Sequence, residues 1–112
     1  MYLIPEETIM LDKPRVLRLS YAVIHAYKEL SGKYLSKNLA TGFDDDELVY
    51  LMYASFSQDD PELKLQDVQN LYHAGLYPIL SEALAKLYAA SLIEVEDGGA
   101  DGEAKNSKSP TG

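Results

Sequence analysis

The chain contains no cysteine and no tryptophan, only two histidines and two phenylalanines, and 10 lysines and arginines against 18 acids in 112 residues. Without cysteine there are no disulfides, no thiolate nucleophile and no cysteine-ligated zinc, a pattern that fits a reducing compartment. The net charge of −8 repels nucleic acid phosphates and anionic membranes, so neither is an expected partner. No apolar run approaches the roughly 18 residues a membrane span requires. The opening "MYLIPEETIM" lacks the basic and apolar regions of a signal peptide. The expectation is a soluble intracellular protein. Glycine-rich phosphate loops and the G-x-S-x-G elbow are also missing.

What the chain has is helical patterning, acids and tyrosine. Its length suits one domain with a modest core and little material for a deep cleft. Residues 1–19 read as extended: "TIML" and "RVLRL" are β-prone pieces separated by "DKP", a turn sequence. A short hairpin, or one strand leading into a helix, is expected there. Ser20 suits the N-cap of a helix from about Tyr21 to Leu30. Val23, Ala26, Tyr27 and Leu30 share one face of it, and Gly32 stops it. A short helical piece, "KYLSKNLA", follows and ends near Gly42.

The clearest helix start is Asp44 with Glu47, a capping-box pair. Leu48, Leu51, Met52 and Phe56 then form an apolar stripe with small Ser55 near its middle. This helix should end before "SQDDP", because Pro61 disfavours helical geometry in the residue preceding it. A short helix is expected from about Leu65 to Ala74, with Leu65, Val68, Leu71 and Tyr72 on one side and Gly75 ending it. The last helix starts near Pro78 and runs to about Ile93, with Leu80, Ala83, Leu84, Leu87 and Tyr88 as its core stripe. After Val95 the segment "EDGGADGEAKNSKSPTG" carries no large apolar side chain and cannot offset its own ordering entropy. The expected fold class is therefore mainly α. It is a small bundle of four to five helices with a short N-terminal β-strand or hairpin, comprising a helical domain at 1–95 and a disordered tail or linker at 96–112.

Reactive constellations are sparse. His25 falls on the polar side of its helix near Lys28 and Glu29, and His73 at a helix C-terminus, where a cation suits the dipole. Surface or structural roles are expected for both. The acid clusters "DDDE" (44–47) and "DDPE" (59–62) lack the alternating ligands, central glycine and terminal glutamate of an EF-hand. Capping and solvation account for them. No catalytic residue, metal site or cofactor site is expected, and the chain is not read as an enzyme.

The nine tyrosines are more informative. Tyr27, Tyr72 and Tyr88 fall on apolar stripes and read as core. Tyr50 and Tyr53 point away from the stripe of Leu48, Leu51 and Met52 and lie on a second face. Exposed tyrosines supply contact area at low entropic cost, which favours interfaces; the equal alternative is packing on a neighbouring helix. Tyr77, beside the Gly75 turn, is a third candidate partner-binding residue.

The order of pieces resembles the short tail assembly chaperones of long-tailed bacteriophages and gene transfer agents. The matching residues are Leu17, Arg18, Leu19 and Ser20; Leu51, Tyr53, Ala54 and Phe56; Asp60, Pro61, Glu62 and Leu63; and Asp67 with Val68. The similarity spans about residues 15–93. Two places depart from it. Lys64 stands where the family has a threonine N-cap, a loss of about 1 kcal/mol in capping, and Tyr21 and Val23 replace an aromatic–glycine–alanine stretch. The resemblance implies a non-enzymatic helical protein that transiently binds the tape measure protein and keeps it soluble until tail tube subunits polymerise around it. It implies residence in the host cytoplasm, absence from the finished virion and, in many members, a longer product made by programmed frameshifting. The rival expectations are an acidic nucleic-acid mimic that inhibits a DNA-binding enzyme, another small protein-binding adaptor and, least favoured, a small hydrolase.

Overall fold

A computed structural model describes the backbone of residues 4–99 and the side chains of residues 4–90. Strands β1 (Glu6–Met10) and β2 (Pro14–Arg18) form an antiparallel hairpin in which Thr8 faces Val16 and Ile9 faces Arg15. Five helices follow: α1 (Tyr21–Ser31), α2 (Leu35–Thr41), α3 (Asp45–Phe56), α4 (Leu65–Leu71) and α5 (Leu76–Gly99). This is the expected helical bundle with an N-terminal hairpin.

The hairpin turn is held by Asp12, whose carboxylate accepts the Lys13 N–H at 3.0 Å, and Leu11 donates its N–H to the Lys13 carbonyl at 3.1 Å. That last bond fixes the alternation. Odd-numbered residues of β1 and β2 exchange backbone bonds with each other, and even-numbered residues turn theirs outward. On the β2 side the outward groups meet α3. The Ser55 hydroxyl accepts from the Arg18 N–H and donates to the Val16 carbonyl, both at 3.0 Å. One hydroxyl thus closes the free edge of β2 against the central helix.

The helix ends obey local chemistry. Ser20 caps α1 through the Val23 N–H, and Gly32 leaves it at φ 74°, a left-handed backbone that glycine adopts without a Cβ penalty. Gly42 follows α2 at φ 103°, ψ 167°, a different positive-φ conformation that also suits glycine. Asp44 and Glu47 form the full capping box of α3, with both arms at 2.8 Å. At α4 only half a box is present: the Asp67 carboxylate accepts from the Lys64 N–H at 3.0 Å, and Lys64 has no acceptor to return.

Two boundaries differ from expectation. Helix α4 stops at Leu71 instead of Ala74, because Tyr72 is extended (ψ 137°) and its hydroxyl reaches across to Asp45. Helix α5 begins at Leu76, with Pro78 inside its first turn where a missing N–H costs nothing, and it continues past Ile93 to Gly99. The remainder of the predicted tail, 100–112, lies outside the described residues.

Helix α3 is the hub: it touches β2, α1, α4 and α5. Eight of its 12 residues are buried, so it is enclosed on most sides and does more than present a single stripe. Leu48, Leu51, Met52 and Phe56 join Leu17, Val23, Tyr27, Leu35, Val68, Leu80 and Leu87 in one core. Tyr88 departs from its expected place: it is 45% exposed, whereas Leu80, Ala83, Leu84 and Leu87 are buried. At about 100° per residue it lies at the edge of the Leu80–Leu84 stripe, where a long polar-tipped ring turns to water.

Ser55→Ala is expected to leave the Arg18 N–H and Val16 carbonyl unpaired beneath α3. It should lower unfolding stability by about 1–3 kcal/mol, measured by urea denaturation, and should speed amide exchange at Arg18 before other sites.

Candidate interaction surface

A network of polar groups lies inside the junction of α1, α2 and α3. The Tyr27 hydroxyl donates to Asn38 Oδ1 at 2.7 Å. The Asn38 amide donates to the Gly42 carbonyl at 3.0 Å and to Glu47 Oε1 at 3.1 Å. Glu47 Oε1 also accepts the Asp44 N–H, while Oε2 is paired with the Lys33 ammonium. Tyr27, Asn38 and Glu47 are all buried. The Lys33 hydrogen bond, helped by the Asp44 N–H, holds the Glu47 carboxyl below the usual carboxylate range. Burial, followed by the Glu47 charge, pushes the Tyr27 hydroxyl up to about 12. Every polar atom in this set has a structural partner, so the network is a brace and offers no free reactive group.

A second charged cluster ties the hairpin to the segment after α3. Arg15 is buried and makes a two-pronged contact with Asp12 (3.1 and 2.8 Å) and a further bond to Asp60 at 3.0 Å. Arg18 bridges Glu6 and Asp59 at 3.0 and 3.2 Å. The "DDPE" acids are therefore spent on hairpin arginines more than on capping or solvation. A shallow depression of about 440 Å³ brings Asp12, Asp60, Glu62 and Asp67 around Arg15. Hydrogen bonds from Arg15 hold both Asp12 and Asp60 below their ordinary range. That is opposite to the shift a carboxylic acid needs to donate a proton at neutral pH. The histidines stand apart from it: His25 stacks on Tyr21 with ring centres 6.1 Å apart, and His73 Nδ1 accepts the Gly75 N–H at 3.1 Å. Among the described residues, no group of His, Asp and Glu side chains is arranged to hold a metal ion, and no helix is long and apolar enough to cross a membrane.

The tyrosines predicted to bind a partner are not brought into one patch. Tyr50 and Tyr53 are half-buried on α3 and pack against the core. Tyr77 is on α5, 42% exposed, and its hydroxyl donates to the Phe43 carbonyl at 3.1 Å. It neighbours Tyr72, whose hydroxyl is pushed up to about 12 by burial and by its bond to Asp45. Exposed apolar area lies on elements other than α3. On α5, Tyr77 and Tyr88 are separated by about three helical turns and share one face. On α1, Tyr21 and Ile24 are exposed next to His25, and Tyr34 lies beneath the Lys28 ammonium at 4.9 Å. Ile79 and Met10 are exposed where α5 meets β1. Tyr21, Tyr34 and Tyr88 were not among the predicted contact residues. The signal for Tyr21 was its place in the first turn of α1, off the Val23–Tyr27 stripe.

Comparison of the chain with protein-family models, curated proteins and solved structures finds no match.

Both raised tyrosine values carry a sign. A group more easily kept protonated in the folded state contributes stability that is complete below its ordinary value of 10.0 and is lost as pH rises toward about 12. Ultraviolet titration should therefore show Tyr27 and Tyr72 as late-ionising hydroxyls. Tyr27→Phe and Tyr72→Phe should each delete one late component and flatten the stability loss above pH 10.

Proposed function

We propose that this chain is a short tail assembly chaperone, which binds the tape measure protein transiently in the host cytoplasm and keeps it soluble during tail assembly. The observation that carries the reading is the ordered motif set over residues 15–93, laid along a hairpin-and-helix framework. Leu17 to Ser20 run from the end of β2 into the cap of α1. Leu51 to Phe56 complete α3, Asp60 to Leu63 make the following turn, and Asp67 with Val68 opens α4.

The physical side of the role is apolar contact. A long helical client offers an apolar stripe, and exposed aromatic rings on a rigid helix accept it. Tyr77 and Tyr88 on α5 supply such a face, and Tyr21 and Ile24 on α1 supply another. Tyr50 and Tyr53, half-buried on α3, pack against the core. The competing idea of a nucleic-acid mimic loses support, since Asp12, Asp59, Asp60, Glu6 and Glu47 are neutralised by the chain's own arginines and lysine.

Co-expression with a tape measure protein tests the reading. Soluble tape measure protein should rise in the presence of the chain, and a Tyr77→Ser/Tyr88→Ser double variant with an unchanged circular dichroism spectrum should remove most of the gain. Equal solubility with and without the chain would overturn the assignment.

A further inference from the structure

The outer edge of β1 has its backbone groups turned away from the fold. Because odd-numbered residues pair with β2, the N–H and C=O groups of Glu6, Thr8 and Met10 point outward. The β2 edge is closed by Ser55, but among the described residues nothing performs that service for β1. Beside the edge lies a groove of about 310 Å³ between β1 and α5, whose lining includes Glu7, Ile9, Met10, Ile79, Glu82 and Lys86. Its apolar lip is incomplete: Ile79 is 50% and Met10 70% exposed. Its charges are uneven. Glu82 and Lys86 pair with each other at 3.7 Å, while Glu7 is half-buried with no ion pair or hydrogen bond from any described side chain. The hairpin arginines are already engaged, Arg18 by Glu6 and Asp59 and Arg15 by Asp12 and Asp60.

We infer that β1 accepts one further strand: an extended segment of another polypeptide, alternating apolar and basic side chains, that bonds to the outward groups of Glu6, Thr8 and Met10 and lays its inward side chains between Ile79 and Glu7. Strand addition draws affinity from main-chain bonds and selectivity from every second side chain. The vacant Glu7 carboxylate selects a lysine or arginine. The apolar lip selects the residues flanking it. Charge also decides against a second copy of this chain, which would bring its own −8 to the interface. The inference does not depend on the chaperone reading, because it concerns an extended ligand on β1 and not a helical client on the tyrosine faces.

The test uses the full chain labelled for amide exchange and two blocked peptides, one alternating valine and lysine, the other valine and glutamate. In the free protein the amides of Glu6, Thr8 and Met10 should exchange fast while Glu7 and Ile9 are protected. The valine–lysine peptide should slow exchange at the three outward amides by about tenfold or more, and the valine–glutamate peptide should do so far less. Thr8→Pro deletes an outward donor without touching a β2 bond and should abolish the effect, as should Ile79→Lys. No slowing at these amides would overturn the inference. So would equal slowing by both peptides, or protection in the free protein that grows with its concentration, which would mean that a second copy holds the edge.

Discussion

The Glu47 carboxylate is the constraint on which the rest of the bundle depends. One oxygen closes the capping box at the start of α3 and receives the Asn38 amide, and the other holds Lys33 from the loop after α1. Through Asn38 the same carboxylate reaches the Tyr27 hydroxyl in the middle of α1. A residue that would serve only as a helix cap on a surface here fixes the mutual placement of three helices. A buried carboxylate is tolerable only because it is fully satisfied; removing one partner would leave the others to carry the desolvation cost.

The hairpin is attached by a different device. Its inner face adds Ile9 and Leu17 to the core, its β2 edge is sealed by Ser55, and its turn is anchored by buried Arg15 between Asp12 and Asp60. Both devices converge on α3 or on the segment that leaves it. Consequently α3 is encased, and the surface left for partners belongs to the outer elements: α1, α5 and the free side of β1.

Much of this was legible from local chemistry. "DDDE" marked the α3 start because the capping box is a short-range code, and "DKP" between β-prone pieces marked the hairpin. Ser20, Gly32 and Gly42 bounded their helices for similarly local reasons. What the sequence concealed was long-range. Ser55 read as a small residue in a stripe, since nothing nearby in sequence shows that its hydroxyl meets β2. Nothing near Arg15 in sequence marks it for burial, because its partner Asp60 is 45 positions away. Tyr50 and Tyr53 read as a possible second face, since periodicity cannot tell solvent from a neighbouring element. Tyr88 read as core because a stripe has no sharp edge on a helical wheel. Exposed aromatic area was thus legible in kind, as at Tyr77, whereas the half-buried packing of Tyr50 and Tyr53 against the core was not.

The charged Glu47 carboxylate organises the helices, so unfolding stability must depend on pH through it. Its depressed folded value means that its contribution is complete above the ordinary carboxylate range, near 4.5, and is lost as pH falls through the folded value. Urea denaturation of wild type and Glu47→Gln between pH 7 and pH 3 should show the variant less stable by about 2 kcal/mol or more at neutrality, with the gap closing as acid protonates Glu47. A gap that stays constant across that range, or no gap at pH 7, would contradict the claim.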